Sequence, residues 1–110
     1  DWRMSSLSTH ILDISTGKPA PGVTVFLARD ERVLAQGITD GNGRIGAFSA
    51  PLTPGRYRLV AQTGEWFAQH DVATLFPCTQ IDFVIAEGAE EHFHLPFLIA
   101  PGGWSTYRGS

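Results

Sequence analysis

Cysteine is nearly missing from this 110-residue chain, where Cys78 stands alone. One thiol excludes an intrachain disulfide and any cysteine-built metal cluster, and it agrees with a reducing compartment. Beside Phe76 and Pro77 it reads as a small buried hydrophobe rather than a reactive group. Charge of one sign is also scarce: 8 Lys and Arg against 11 Asp and Glu leave a net charge of −3. That removes the electrostatic footprint needed for nucleic acid or an anionic membrane, while leaving room for a small neutral or anionic substrate held by a local cation. No apolar run approaches the roughly 20 residues that span a bilayer. No secretory leader opens the sequence. Asp1, Trp2 and Arg3 precede Met4 and read as an appended segment before a native start. Residues 1–6 are therefore expected to be a disordered or appended tail. The expected location is cytoplasmic, or periplasmic if residues 1–3 follow a removed leader. Residues 7–110 are expected to form one domain, large enough for a single sandwich-sized core.

Most of the chemistry lies in residues 92–110, HFHLPFLIAPGGWSTYRGS. As a strand, residues 92–99 alternate: Phe93, Leu95, Phe97 and Ile99 form a core face, and His92, His94, Pro96 and Leu98 form the opposite face. Both histidines then sit on the outer side of a sheet, where core packing does not account for them. Leu98 makes that side partly apolar, the mark of a face covered by another subunit. After a Pro-Gly-Gly break, Trp104 to Tyr107 resume an extended pattern, and the chain stops on Arg108, Gly109 and Ser110.

The rest of the chain reads as further short strands. Residues 7–14 place Leu7, Thr9, Ile11 and Asp13 on one side, with Ser8, His10, Leu12 and Ile14 on the other. Neither side is cleanly polar, so this strand too is expected to have a covered outer face. Residues 15–22, STGKPAPG, carry turn chemistry but lack the spacing of a phosphate loop. Strands follow at residues 23–28 and 33–39, joined by a charged turn at Asp30, Glu31 and Arg32. The run Asp40-Gly41-Asn42-Gly43-Arg44 tolerates positive φ and favours a hairpin; it lacks the closing acid of a calcium loop. Residues 45–48 are expected to extend briefly, residues 57–63 to form a strand, and residues 64–70 to supply the single short helix, stopped by Pro77. Residues 80–86 return to period two with Ile81, Phe83 and Ile85 inward. The sum is an all-β sandwich of seven or eight strands with one helical insertion.

His10 and His94, with His92 nearby in sequence, share outer faces, and Arg44 follows a turn that can aim it. Imidazole transfers protons near neutral pH, and guanidinium holds an oxygen on which charge develops. Together they describe a hydrolytic site that activates water. Zinc held by His-x-His plus His10 is an alternative, and so is a non-catalytic channel that binds a small apolar ligand. His70, in the expected helix, reads as structural.

The segments LSTHILDISTGKPAPGV, DGNGRIG and HFHLPFLIAPGGWSTYRGS resemble the transthyretin-related protein family, in its 5-hydroxyisourate-hydrolysing branch, over residues 7–110. The ending YRGS separates that branch from the hormone carrier. The resemblance implies a transthyretin-like β-sandwich of about eight strands in two sheets with one short helix. It further implies a homotetramer, a dimer of dimers, with sites in the channel between dimers. The implied reaction is the opening of 5-hydroxyisourate to 2-oxo-4-hydroxy-4-carboxy-5-ureidoimidazoline in urate degradation, with no metal and no cofactor. By motif, His10, Arg44 and His94 would be catalytic. One of the two imidazoles would be the general base, and Arg44 would stabilise the oxyanion. Ser110 would complete the pocket, with Tyr107 and Arg108 shaping it and anchoring the tail, and His92 would lie at the rim. Pro101-Gly102-Gly103-Trp104 departs from the more aromatic Pro-Tyr-x-Tyr form of the family.

Overall fold

Period-two patterning is realised as two sheets in the computed structural model, which describes residues 5–110. The first sheet is built around β1 (Ser6–Asp13), with β2 (Lys18–Pro19) and β5 (Arg44–Ile45) paired antiparallel to it. Running parallel to β1 are β8 (His92–His94) and β9 (Phe97–Ala100), and β10 (Gly103–Thr106) closes that sheet antiparallel to β9. The second sheet has the order β4 (Arg32–Ile38), β3 (Thr24–Arg29), β6 (Gly55–Ala61), β7 (Thr79–Ile85), all antiparallel. One helix, α1 (Thr63–Gln69), follows β6.

The inward faces are the ones the alternation selects. Leu7, Ile11, Phe97 and Ile99 from the first sheet, and Val25, Leu27, Leu59 and Ile85 from the second, are buried together in one core cluster. At about 25 cal/mol per Å² of apolar surface removed from water, a fully buried side chain of this size stabilises the fold by about 1.5–3 kcal/mol. The helix is docked by Trp66 and Phe67, and the Trp66 indole N–H donates to the Pro21 carbonyl at 2.7 Å. His70 stacks on Trp66 and is bonded to its carbonyl at 2.8 Å, a structural role as expected.

Several expectations change in detail. Residues 1–4 of the expected tail lie outside the described residues, while Ser6 already belongs to β1 and Ser5 bridges to Leu52. Asp30 and Glu31 adopt positive φ, as a tight turn between β3 and β4 requires. The Asp40 to Arg44 run is not a hairpin: β4 and β5 belong to different sheets, so this turn carries the chain across the sandwich. Residues 92–99 keep their alternation but not their continuity. Pro96 has no N–H to donate, and the ladder is interrupted between β8 and β9 while the register with β1 is kept on both sides of the gap. Residues 46–48 do not extend β5. Cys78 is only half-buried.

Candidate active site

Because β1 is central, its outward residues have neighbours on both sides. His10 faces Arg44 of β5 across one side. Ser6 and Ser8 face His92 and His94 of β8 across the other. In-register neighbours lie about 5 Å apart on a sheet, so the pairing alone gathers three histidines, two serines and an arginine on one outer face. Two of these residues, Ser6 and Ser8, carry no obvious chemistry in the sequence; the period-two count from His10 is the signal that puts them there.

Arg44 is aimed by the turn before it. The Asp40 carboxylate accepts the backbone N–H groups of Asn42 at 2.9 Å and Arg44 at 3.0 Å, and these bonds hold its carboxyl below the usual carboxylate range. Gly43 has φ of 75°, and a Cβ there would lie 2.5 Å from the Ile11 carbonyl oxygen. The close docking is needed because the Gly43 carbonyl accepts the Ile11 N–H at 2.7 Å. Glycine is thus required for both conformation and contact.

His94 is enclosed from two directions. On the β1 side, its Nδ1 lies 2.7 Å from the Ser8 hydroxyl. On the other, the C-terminal tail runs beside it, with the Gly109 N–H donating to the His94 carbonyl at 2.8 Å. A Cβ on Gly109 would come within 2.5 Å of His94 Cδ2, so only glycine lets the tail pass so close to the ring. Ser110 then reaches a cleft of about 210 Å³ lined also by Ser8, Arg44, Gly46, His92 and His94. Two larger clefts, about 460 Å³ beside Arg29 and Arg58 and about 730 Å³ beside α1, contain no histidine, and neither combines an acid–base imidazole with a cation.

The other tail residues sit elsewhere. Arg108 pairs with Glu91, and its guanidinium lies 4.7 Å from the centre of the Phe93 ring. Tyr107 is 56% exposed. Neither lines the cleft, and His10 stands beside it through its pairing with Arg44. His92 does line it, and both of its ring nitrogens are engaged, by Ser6 at 2.6 Å and Ser8 at 2.8 Å.

Electrostatics link the group. Burial lowers the His10 pKa from 6.5, and the Arg44 cation lowers it further against smaller opposing effects from Asn42 and Asp40. Burial likewise lowers that of His94, followed by the charges of Arg44, His10 and His92. Both imidazoles are therefore held neutral near pH 7, able to accept a proton. Among the described residues, no group of three His, Cys, Asp or Glu side chains is arranged to hold a metal ion.

These features define a transthyretin-like β-sandwich with a polar, histidine- and arginine-lined cleft on one sheet. The chain belongs to the HIUase/Transthyretin family, whose model matches residues 7–109. It is 44% identical over 110 residues to 5-hydroxyisourate hydrolase of Salmonella dublin, covering 94% of this chain and 80% of that protein. Among solved structures, Klebsiella pneumoniae 5-hydroxyisourate hydrolase superposes with a TM-score of 0.89 at 61% identity, covering 98% of this chain and 95% of the other. Sea bream transthyretin in complex with thyroxine superposes with a TM-score of 0.85 over 94% of this chain and 93% of the other. Its identity is only 21%, so that likeness speaks for the fold alone.

Proposed function

We propose that this protein hydrolyses 5-hydroxyisourate to 2-oxo-4-hydroxy-4-carboxy-5-ureidoimidazoline, in the breakdown of urate, without a metal. The observation that carries the proposal is the convergence of His94, Arg44 and Ser110 on one cleft, with His10 paired to Arg44 in register. The similarity to named 5-hydroxyisourate hydrolases supplies the substrate. A neutral imidazole takes a proton from water as its oxygen bonds to the ring carbonyl carbon. Negative charge then collects on the carbonyl oxygen, where Arg44 stabilises it. The C–N bond breaks, its electron pair goes to nitrogen with the proton, and the ring opens to a carboxylate. Ser110 closes the pocket with its hydroxyl, and Arg108 fastens the segment that carries it through Glu91 and Phe93.

The assembly belongs to the same proposal. The site lies on an outer sheet face that also presents Leu12 and Leu98, and a homotetramer, as a dimer of dimers, would cover that face and turn an open cleft into a channel. The test is the ultraviolet decay of 5-hydroxyisourate, freshly made from urate by urate oxidase, with and without catalytic amounts of exhaustively chelated protein. Acceleration is expected. A folded protein that binds the substrate without speeding its decay would favour a carrier, and a rate restored only by zinc would favour the metal alternative.

A further inference from the structure

Three contacts run end to end across the outer face. The Ser6 hydroxyl meets His92 Nδ1 at 2.6 Å, His92 Nε2 meets the Ser8 hydroxyl at 2.8 Å, and the same hydroxyl meets His94 Nδ1 at 2.7 Å. Ser6 and His92 are exposed to solvent, Ser8 is buried, and His94 is half-buried at the cleft. Ser8 and His92 line the cleft together with His94, so the line runs along the cleft wall through one buried hydroxyl and ends at the exposed Ser6, outside that lining. The parallel register of β1 and β8 creates it, since Ser6 stands opposite His92 and Ser8 opposite His94.

Each internal member has one hydrogen and two partners, so the line admits two directions of donation. In one, His94 Nδ1–H donates to Ser8, Ser8 to His92 Nε2, and His92 Nδ1–H to Ser6; His94 Nε2 is then a bare acceptor. In the other, every hydrogen is shifted one place, and His94 Nε2 carries the proton. We propose that Ser8, His92 and Ser6 form a proton relay that sets the tautomer of His94 and makes it the general base. The inference rests on the hydrolytic reading of the same cleft.

Protons balance over a turnover. As water attacks, its proton goes to His94 Nε2, while the Nδ1 proton moves to Ser8, that of Ser8 to His92, that of His92 to Ser6, and one leaves to solvent. As the C–N bond breaks, Nε2 gives its proton to the departing nitrogen and the line returns one from solvent. The second hydrogen of the water stays on the new carboxyl group and ionises from the product. His94 never has to hold a full positive charge beside Arg44, which lines the same cleft. His10, on the far side of Ser8 along β1, has no such line among the described contacts and keeps a role toward substrate.

Ser8, His92 and Ser6 are positioning residues here, and their test needs more than a rate. Long-range ¹H–¹⁵N spectra of the resting protein, without substrate, are expected to show His94 mainly as the Nδ1–H tautomer. Ser8→Ala is expected to convert it to the Nε2–H form that free imidazole favours. His92→Ala, at an exposed position where folding is not at stake, is expected to lower kcat about tenfold with KM nearly unchanged, and added imidazole is expected to restore most of the loss. A resting Nε2–H tautomer, a tautomer indifferent to Ser8→Ala, or full activity in His92→Ala would each overturn the relay. The spectra need no turnover, so they stand even if the substrate assignment fails.

Discussion

Arg44 brings a fixed positive charge to a cleft that holds His94 and Ser110, and its register partner is His10. In the proposed reaction it would favour the developing oxyanion, and its charge disfavours protonation of both imidazoles. Alanine at His10, Arg44 or His94 is expected to lower turnover by roughly a hundredfold or more, the size seen when a proton-transfer group or an oxyanion donor is lost. Steady-state kinetics on a folded variant decide each case, and near-normal turnover removes that residue from the mechanism. The pH behaviour has a definite sign. Burial and then Arg44 lower both imidazole pKa values below 6.5, so the basic form persists to lower pH than in a free histidine. Arg44→Gln removes the Arg44 charge, and proton NMR titration is expected to move His10 and His94 upward, toward 6.5, with burial still acting on both and the charges of His10 and His92 still acting on His94. No movement would mean that Arg44 does not act on them through its charge. The same shifts imply that these groups stabilise the fold fully only above pH 6.5; below it the unfolded chain takes up protons first.

At the scale of elements, the turn before β5 and the tail after β10 do the aiming. Gly43 is the tightest point of the turn, with positive φ and the Ile11 carbonyl 2.5 Å from any added Cβ. Gly43→Ala is expected to cost on the order of 2–3 kcal/mol, from left-handed backbone strain and the clash together. Gly41, in the same loop, has open space around its Cα, and Gly41→Ala is expected to be close to neutral. Urea unfolding of the pair checks this; equal stability of the two variants would show that the docking on β1 is not what holds the turn. The site was legible in the sequence to the extent that it depends on alternation. The outward placement of His10, His92, His94 and Leu98 follows from period two alone. The turn run was recognisable as a turn, but a hairpin and a crossover share the same Gly and Asn preferences, and only the sheet membership of β4 and β5 distinguishes them. The Ser8 contacts were hidden for a similar reason: alternation gives the face of a side chain, whereas its neighbour depends on the parallel register between segments 86 residues apart. The course of residues 107–110 was no more readable, because Gly109 beside the His94 ring and Arg108 over Phe93 are long-range contacts with no periodic signature.

For the whole molecule, the first sheet leaves an outer face on which an uncovered apolar patch adjoins the polar cleft. Leu12 and Leu98 are direct partners across β1 and β9 on that face, and Ile14 beyond them is 52% exposed. Their surroundings become dry only if a second pair of subunits packs there, which is the arrangement proposed for the tetramer. Leu98→Asp places a charge at that junction without touching the inward residues Phe97 and Ile99, which are fully buried. An unpaired carboxylate in a dry interface is costly, whereas in a separated dimer it is simply solvated. Sedimentation is therefore expected to change from tetramer to dimer while circular dichroism keeps its β signature. Turnover is expected to fall with the tetramer, because an open cleft no longer excludes water from the oxyanion held by Arg44. A Leu98→Asp protein that still sediments as a tetramer would place the dimer–dimer contact on another face. One that becomes dimeric yet turns over at the original rate would show that each subunit completes its site alone.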